Sequence, residues 1–278
     1  MSTSTTPFTC DVQFINDDDF INHYCINLNS VMAEVSKTPA VNKISKLLEL
    51  SGVNFYPNTD NRLTKNTSVK LVSIGGLGIV NLHESGVTIG QMLSMSRQTM
   101  GCAGTMSYLG FIGDDSETTY NKIVSNYGHF SIAHTTSISI LISGITCAVE
   151  NEFNSQRDLI HLARITEART NIQSCPPIVV KNEAMVDTYM NILKFIDSER
   201  SKLKSQVHEE STKDLMENLN LMYPASKATS VLITGSLRNI QKLLSSETDM
   251  GKEKEFRDVL TKMRDILSIL WPELFLSK

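Results

Sequence analysis

TTSISILIS, residues 135–143, alternates polar and apolar side chains at Ser137, Ile138, Ser139 and Ile140. Successive strand side chains point to opposite faces, so this is the period of a half-buried strand, and Gly144 is expected to end it. Downstream, SKATSVLITG (226–235) reads as another strand, SLRNIQKLLSS (236–246) as a helix and KEKEFRDVLTKMRDILSIL (252–270) as a long amphipathic helix. Between them, ITCAVENEFNSQRDLIHLARI (145–165) spaces Ile145, Val149, Phe153, Ile160 and Leu162 among charges. That pattern predicts a helix bent or broken near Asn154–Ser155, and Pro176–Pro177 stop whatever helix remains. Residues 182–206 predict an amphipathic helix through Met185, Met190, Leu193 and Ile196, and a short helix is expected around 211–222 before Pro224. The order strand, long helices, strand, helices favours an α+β fold over a doubly wound parallel sheet.

Upstream, VKLVSIGGLGIV (69–80) reads as a strand with a turn. Its GGLG is not a dinucleotide loop, because Asn81 stands where the third glycine belongs and no clear βαβ unit surrounds it. The polar, turn-rich NFYPNTDNRLTKNTS (54–68) separates an N-terminal extension, residues 1–66, from an α+β domain over 67–278.

The 278 residues are 41% hydrophobic, enough for a well-buried core. A formal charge of −4 excludes a general basic surface for a nucleic-acid polymer. Cys10, Cys25, Cys102, Cys147 and Cys175 are odd in number and scattered, which argues against a structural metal site and a disulfide framework. No basic, apolar leader opens the chain and no run of 18 apolar residues occurs, so a soluble, cytoplasmic protein without membrane partners is expected.

Three clusters could carry chemistry. Tyr127-Gly128-His129-Phe130-Ser131-Ile132-Ala133-His134 puts two histidines and a hydroxyl just before the first strand. Such histidines either donate to a ligand or serve as structural hydrogen-bonders. On a continuous helix Arg157, His161 and Arg164 would share a face, with Thr166, Glu167 and Arg169 following. Fork-shaped guanidinium donors suit phosphate oxygens; the alternative is a solvated face on which Asp158 and Glu167 pair with the arginines. The third cluster, Arg238, Lys242, Glu247, Glu255 and Arg257, reads as an ordinary amphipathic surface.

Taken in order, these pieces resemble the flavin-dependent thymidylate synthases. GHFSIAH (128–134) is similar to that family's Gly-His-x-Ser-Ile motif before a long strand. Residues 223–263 are similar to its C-terminal unit of proline, Thr-containing strand, Arg-bearing helix and a Glu-aromatic or Glu-Ile-Arg helix. The resemblance spans about residues 90–275. It departs at the family's Arg-His-Arg signature, which falls on Ser155-Gln156-Arg157, and at Glu247, where the family carries an arginine that holds the pyrimidine nucleotide.

The resemblance implies a central antiparallel sheet flanked by long helices and a homotetramer. It also implies C5 methylation of dUMP with FAD, NADPH and methylenetetrahydrofolate. It places His129, Ser131, Arg157, His161 and Arg238 on FAD, and Arg164, Thr166, Glu167, Arg169 and Glu247 on the nucleotide, with Arg164 and Arg169 polarising the base. Two alternatives stand beside it. One is a sibling reaction such as pyrimidine hydroxymethylation or use of dCMP, since the Glu247 carboxylate could accept from a cytosine amino group. The other is a non-catalytic binding or assembly subunit.

Overall fold

The computed structural model describes residues 16–107, 115–164, 177–206 and 222–276. In chain order the elements are α1 (Asp17–Tyr24), α2 (Leu28–Lys37), α3 (Lys43–Leu50), β1 (Leu63–Thr64), β2 (Ser68–Ile74), β3 (Leu77–Gly78), α4 (Ile79–Glu84), α5 (Ile89–Ser107) and α6 (Ser116–Asn121). Then follow β4 (Ser137–Thr146), α7 (Cys147–Asn154), β5 (His161–Arg164), β6 (Ile178–Val179), α8 (Val186–Gln206), β7 (Ala228–Ser236), α9 (Leu237–Leu244), α10 (Lys254–Leu270) and α11 (Pro272–Phe275). The helix expected around 211–222 falls almost wholly outside the described residues.

β4 is the centre of a five-stranded sheet of order β3-β2-β4-β7-β5, antiparallel at every junction. One face carries Ile138, Ile140, Ile142, Val231 and Ile233 and packs against α5, α7, α9 and α10. Within that core Phe153 of α7 meets Phe256 of α10 edge to face at 4.9 Å. Each such fully buried side chain contributes about 1.5–3 kcal/mol relative to exposure. The other face is divided. Near Leu141, Val72 and Leu232 it is covered by Val31 and Val35 of α2 and Leu47 and Leu50 of α3. Toward Ser137 and Ser236 it carries half-buried hydroxyls instead, and Ser139 Oγ lies 2.8 Å from Thr234 Oγ1. The polar–apolar alternation of 137–140 is therefore real, and it disappears where both faces are covered.

Two expectations require correction. Gly144 does not end β4; the strand runs on to Thr146 across a bulge between Ser143 and Ile145. Gly144 sits there at φ +73°, and a Cβ would lie 2.8 Å from the Asn66 carbonyl oxygen, so glycine is what lets the strand continue. The helical pattern of 145–165 ends at Asn154, and its second half forms strand β5. Leu162 pairs with Ile233, and the ladder bonds to β7 outweigh the local helical period. The shared helical face of Arg157, His161 and Arg164 consequently does not exist. Three residues apart on a strand, His161 and Arg164 point to opposite faces.

The segment expected as an extension packs into the rest of the chain. Phe20, Ile21 and Cys25 belong to the main core, and β1 pairs in parallel with β6, Leu63 against Ile178. Asp17 of α1 also accepts the Ile89 backbone N–H at the start of α5, 3.0 Å away.

Candidate functional site at one end of the sheet

β4 and β7 are antiparallel, with Ser137 opposite Ser236, so the residues before β4 and those after β7 meet at one end of the sheet. Phe130–Thr135 form a short 3₁₀ turn that packs on α9. Ser236 is the N-cap of α9, its Oγ accepting the Asn239 N–H at 3.2 Å, and His134 Nδ1 lies 3.1 Å from the same oxygen. The Arg238 guanidinium stands 5.7 Å from the centre of the Phe130 ring. Lys242, one helical turn beyond Arg238, is exposed.

Electrostatics at this end favour an anion. His134 is pushed below the ordinary histidine range by partial burial, and further by the neighbouring Lys242 and Arg238 charges. Two fixed cations and an imidazole that resists a third charge form a locally positive surface on a chain of net charge −4. The α9 N-terminus adds its partial positive charge.

The turn after α7 reaches the same end. Asn239 Nδ2 donates to the Leu159 carbonyl at 3.0 Å, and Gly235 leaves room for Leu159 and Ile160 to pack on β7. Arg157 in this turn and His161 at the start of β5 are exposed. His129 and Ser131 flank Phe130 and are exposed as well, the His129 ring lying 6.2 Å from that of Tyr127. The fold thus gathers His129, Ser131, His161, Arg157 and Arg238 at one end of the sheet. Phe130, His134 and Lys242 complete the group. The sequence signal for Lys242 is its i, i+4 spacing from Arg238; for His134 it is membership of the 128–134 run.

The other singled-out residues lie elsewhere or are engaged. Arg164 Nη1 donates to Glu150 Oε1 of α7 at 3.0 Å, a pair in which the glutamate is almost buried. The partner is thus not the Asp158 considered from sequence, and Glu167 lies outside the described residues. Both Glu247 oxygens are occupied: Arg264 Nε donates to Oε2, and Thr261 Oγ1 donates to Oε1 at 2.7 Å. Arg264 also donates to the Leu244 and Phe275 carbonyls, so the pair fastens the end of α9 to α10 and α11. Glu255 lies at the opposite end of the sheet, where it accepts from Thr146 N and Oγ1, each at 3.0 Å, and pairs with Lys181 at 2.8 Å beside a cleft of about 390 Å³. Thr166, Glu167 and Arg169 lie outside the described residues. Among the described residues no group of three or more metal-ligating side chains converges, and no helix is long and apolar enough to cross a membrane.

No family model and no curated protein matches the sequence. Solved structures do match in fold. The UMP/dUMP methylase PolB from Streptomyces cacaoi, bound with 5-Br dUMP, superposes with a TM-score of 0.53 at 12% identity, over 77% of this chain and 95% of that one. Thymidylate synthase X from Helicobacter pylori, with FAD and dUMP, superposes with a TM-score of 0.50 at 15% identity, over 76% of this chain and 97% of that one. The chain therefore has the fold of the flavin-dependent thymidylate synthases, an antiparallel sheet with long helices.

Proposed function

We propose that the chain is a flavin-dependent methylase of a uracil nucleotide, moving a one-carbon unit from methylenetetrahydrofolate to carbon 5 of dUMP with NADPH as reductant. The observation that carries this reading is the cationic, aromatic end of the sheet, built on a fold whose solved examples hold FAD, dUMP or 5-Br dUMP. The donor set suits FAD. Arg238 and Lys242 offer charge to a diphosphate, His129 and His161 offer ring nitrogens, and Ser131 offers a hydroxyl. The Phe130 face, already under a guanidinium, suits a flat ring system.

In this reading His129, Ser131, Arg157, His161 and Arg238 hold the cofactor, while Arg164, Thr166, Glu167 and Arg169 orient the nucleotide. Bound flavin, reduced by NADPH, would supply the hydride. The protein's own contribution is to position the rings and to place guanidinium charge where the uracil carbonyls gain negative character. No cysteine nucleophile is assigned: burial pushes the Cys25 thiol up to about 12, away from the reactive thiolate form. Glu247, held by Arg264 and Thr261, is left out of the nucleotide site, which removes the motive for a dCMP substrate. Assembly as a homotetramer in the cytoplasm belongs to the same proposal.

A second reading, a non-catalytic binding subunit, draws support from the Arg164–Glu150 pair, which neutralises an arginine the nucleotide would need. One experiment separates the two. The full-length protein is incubated with FAD and desalted, its visible spectrum recorded, and tritium release from 5-labelled dUMP followed with NADPH and methylenetetrahydrofolate. A retained flavin band with tritium release is expected. A colourless protein that releases no tritium overturns the methylase reading in favour of the binding subunit.

A further inference from the structure

We propose that the cleft beside Glu255 binds an aliphatic diamine, one ammonium taking the place of Lys181 on the Glu255 carboxylate and the other facing Glu253. The cleft lies at the end of the sheet remote from Arg238, where the β4–α7 junction, the β6–α8 connection, the approach to β7 and the start of α10 converge. Its volume of about 390 Å³ falls within the range of small-molecule sites.

Glu255 is built into the cleft wall. It is 5% exposed, and Thr146 holds both of its oxygens, the backbone N–H donating to Oε1 and Oγ1 donating to Oε2, each at 3.0 Å. Thr146 Oγ1 also accepts the Val149 N–H as the N-cap of α7, which leaves its proton for the carboxylate. The counter-charge comes from the solvent side: Lys181 Nζ lies 2.8 Å from Oε2, yet the lysine side chain is 60% exposed. A long, exposed side chain returns to water at little cost, whereas a buried carboxylate left without a cation is costly. The Lys181 ammonium therefore marks a position that a second ammonium can occupy in its stead.

Charge and polarity select the ligand class. Of the side chains lining the cleft, Glu253 and Glu255 are acidic and Lys181 is basic, an excess of one negative charge that attracts a cation and repels an anion. Val179, Val180, Met185 and Tyr189 supply an apolar wall, which suits a methylene chain. Glu253, exposed at the rim, suits the ammonium at the far end of that chain. A short diamine satisfies all three features, and a monoamine satisfies two.

The test is thermal unfolding of the full-length protein with cadaverine, pentylamine and glutarate as probes. Cadaverine is expected to raise the midpoint of the wild-type chain, and to do so for Lys181→Ala at about one-tenth of the concentration, because the tethered competitor is gone. Pentylamine should act more weakly and glutarate not at all. Glu255→Gln should abolish the shift. Should that variant fail to fold, Met185→Lys, at an exposed position on the cleft wall, adds a cation and should weaken cadaverine about tenfold. A Lys181→Ala midpoint that cadaverine leaves unchanged overturns the proposal, as does an equal shift in Met185→Lys and wild type; Glu255 is then a structural anchor. Equal potency of pentylamine and cadaverine overturns the role of Glu253. None of these positions belongs to the flavin end, so the methylase reading is decided separately, by flavin retention and tritium release.

Discussion

His134 carries the most direct electrostatic consequence of the site. Its pKa is lowered first by partial burial and then by Lys242 and Arg238, so Lys242→Ala should raise it toward the ordinary value, and a bound phosphate should raise it too. Proton NMR titration of the imidazole checks both. Because the folded-state pKa lies below the unfolded one, the unfolded chain binds more protons in the window between them, and stability rises with pH across that window and is lost as pH falls through it. The effect is small, because the side chain is largely exposed. At this scale the sequence is partly legible. The 128–134 run draws attention through its residue types, and the structure sets it beside Arg238. Glu247 misleads because its partner, Arg264, is supplied by tertiary packing from a different helix, which no local pattern reveals. Arg164 is obscured for the same reason: Glu150 faces it only once β5 and α7 have folded together.

Among the elements, strands β4 and β7 and helices α9 and α10 stand close to where periodicity puts them, since each buries a regular stripe or face. The 145–165 segment does not, because a four-residue edge strand has too few positions to display a period and its state is decided by the ladder to β7. The α5–α6 contact shows how tightly an element can be constrained by one missing side chain. Gly101→Ala should force the two helices apart and destabilise the fold by about 3 kcal/mol, despite the better helix propensity of alanine. Urea denaturation measures the loss; an unchanged midpoint would mean that α6 can shift without consequence.

For the whole molecule, the polar, turn-rich stretch 54–68 suggests a division into an extension and a domain at residue 66, but composition does not reveal what the first segment touches. Phe20, only 2% exposed, lies in the same core as the sheet. Phe20→Ala should therefore cost about 3–4 kcal/mol and shift one cooperative transition, with far-ultraviolet circular dichroism and the fluorescence of the buried Trp271 moving together. Separate transitions for the two probes would mean that the N-terminal helices unfold on their own. Position within the sheet also has a meaning for descent. Of the four residues of β5, only Leu162 packs on the core, while His161, Ala163 and Arg164 are exposed at the outermost strand. Exchanges at exposed positions such as His161 and Ala163, away from the Arg164–Glu150 pair, usually change stability by no more than about 0.5 kcal/mol. An edge strand that borders the proposed ligand end can thus accumulate new ligand contacts across generations while the central strands preserve the scaffold, so lineages sharing this fold can part company in chemistry long before they part company in shape.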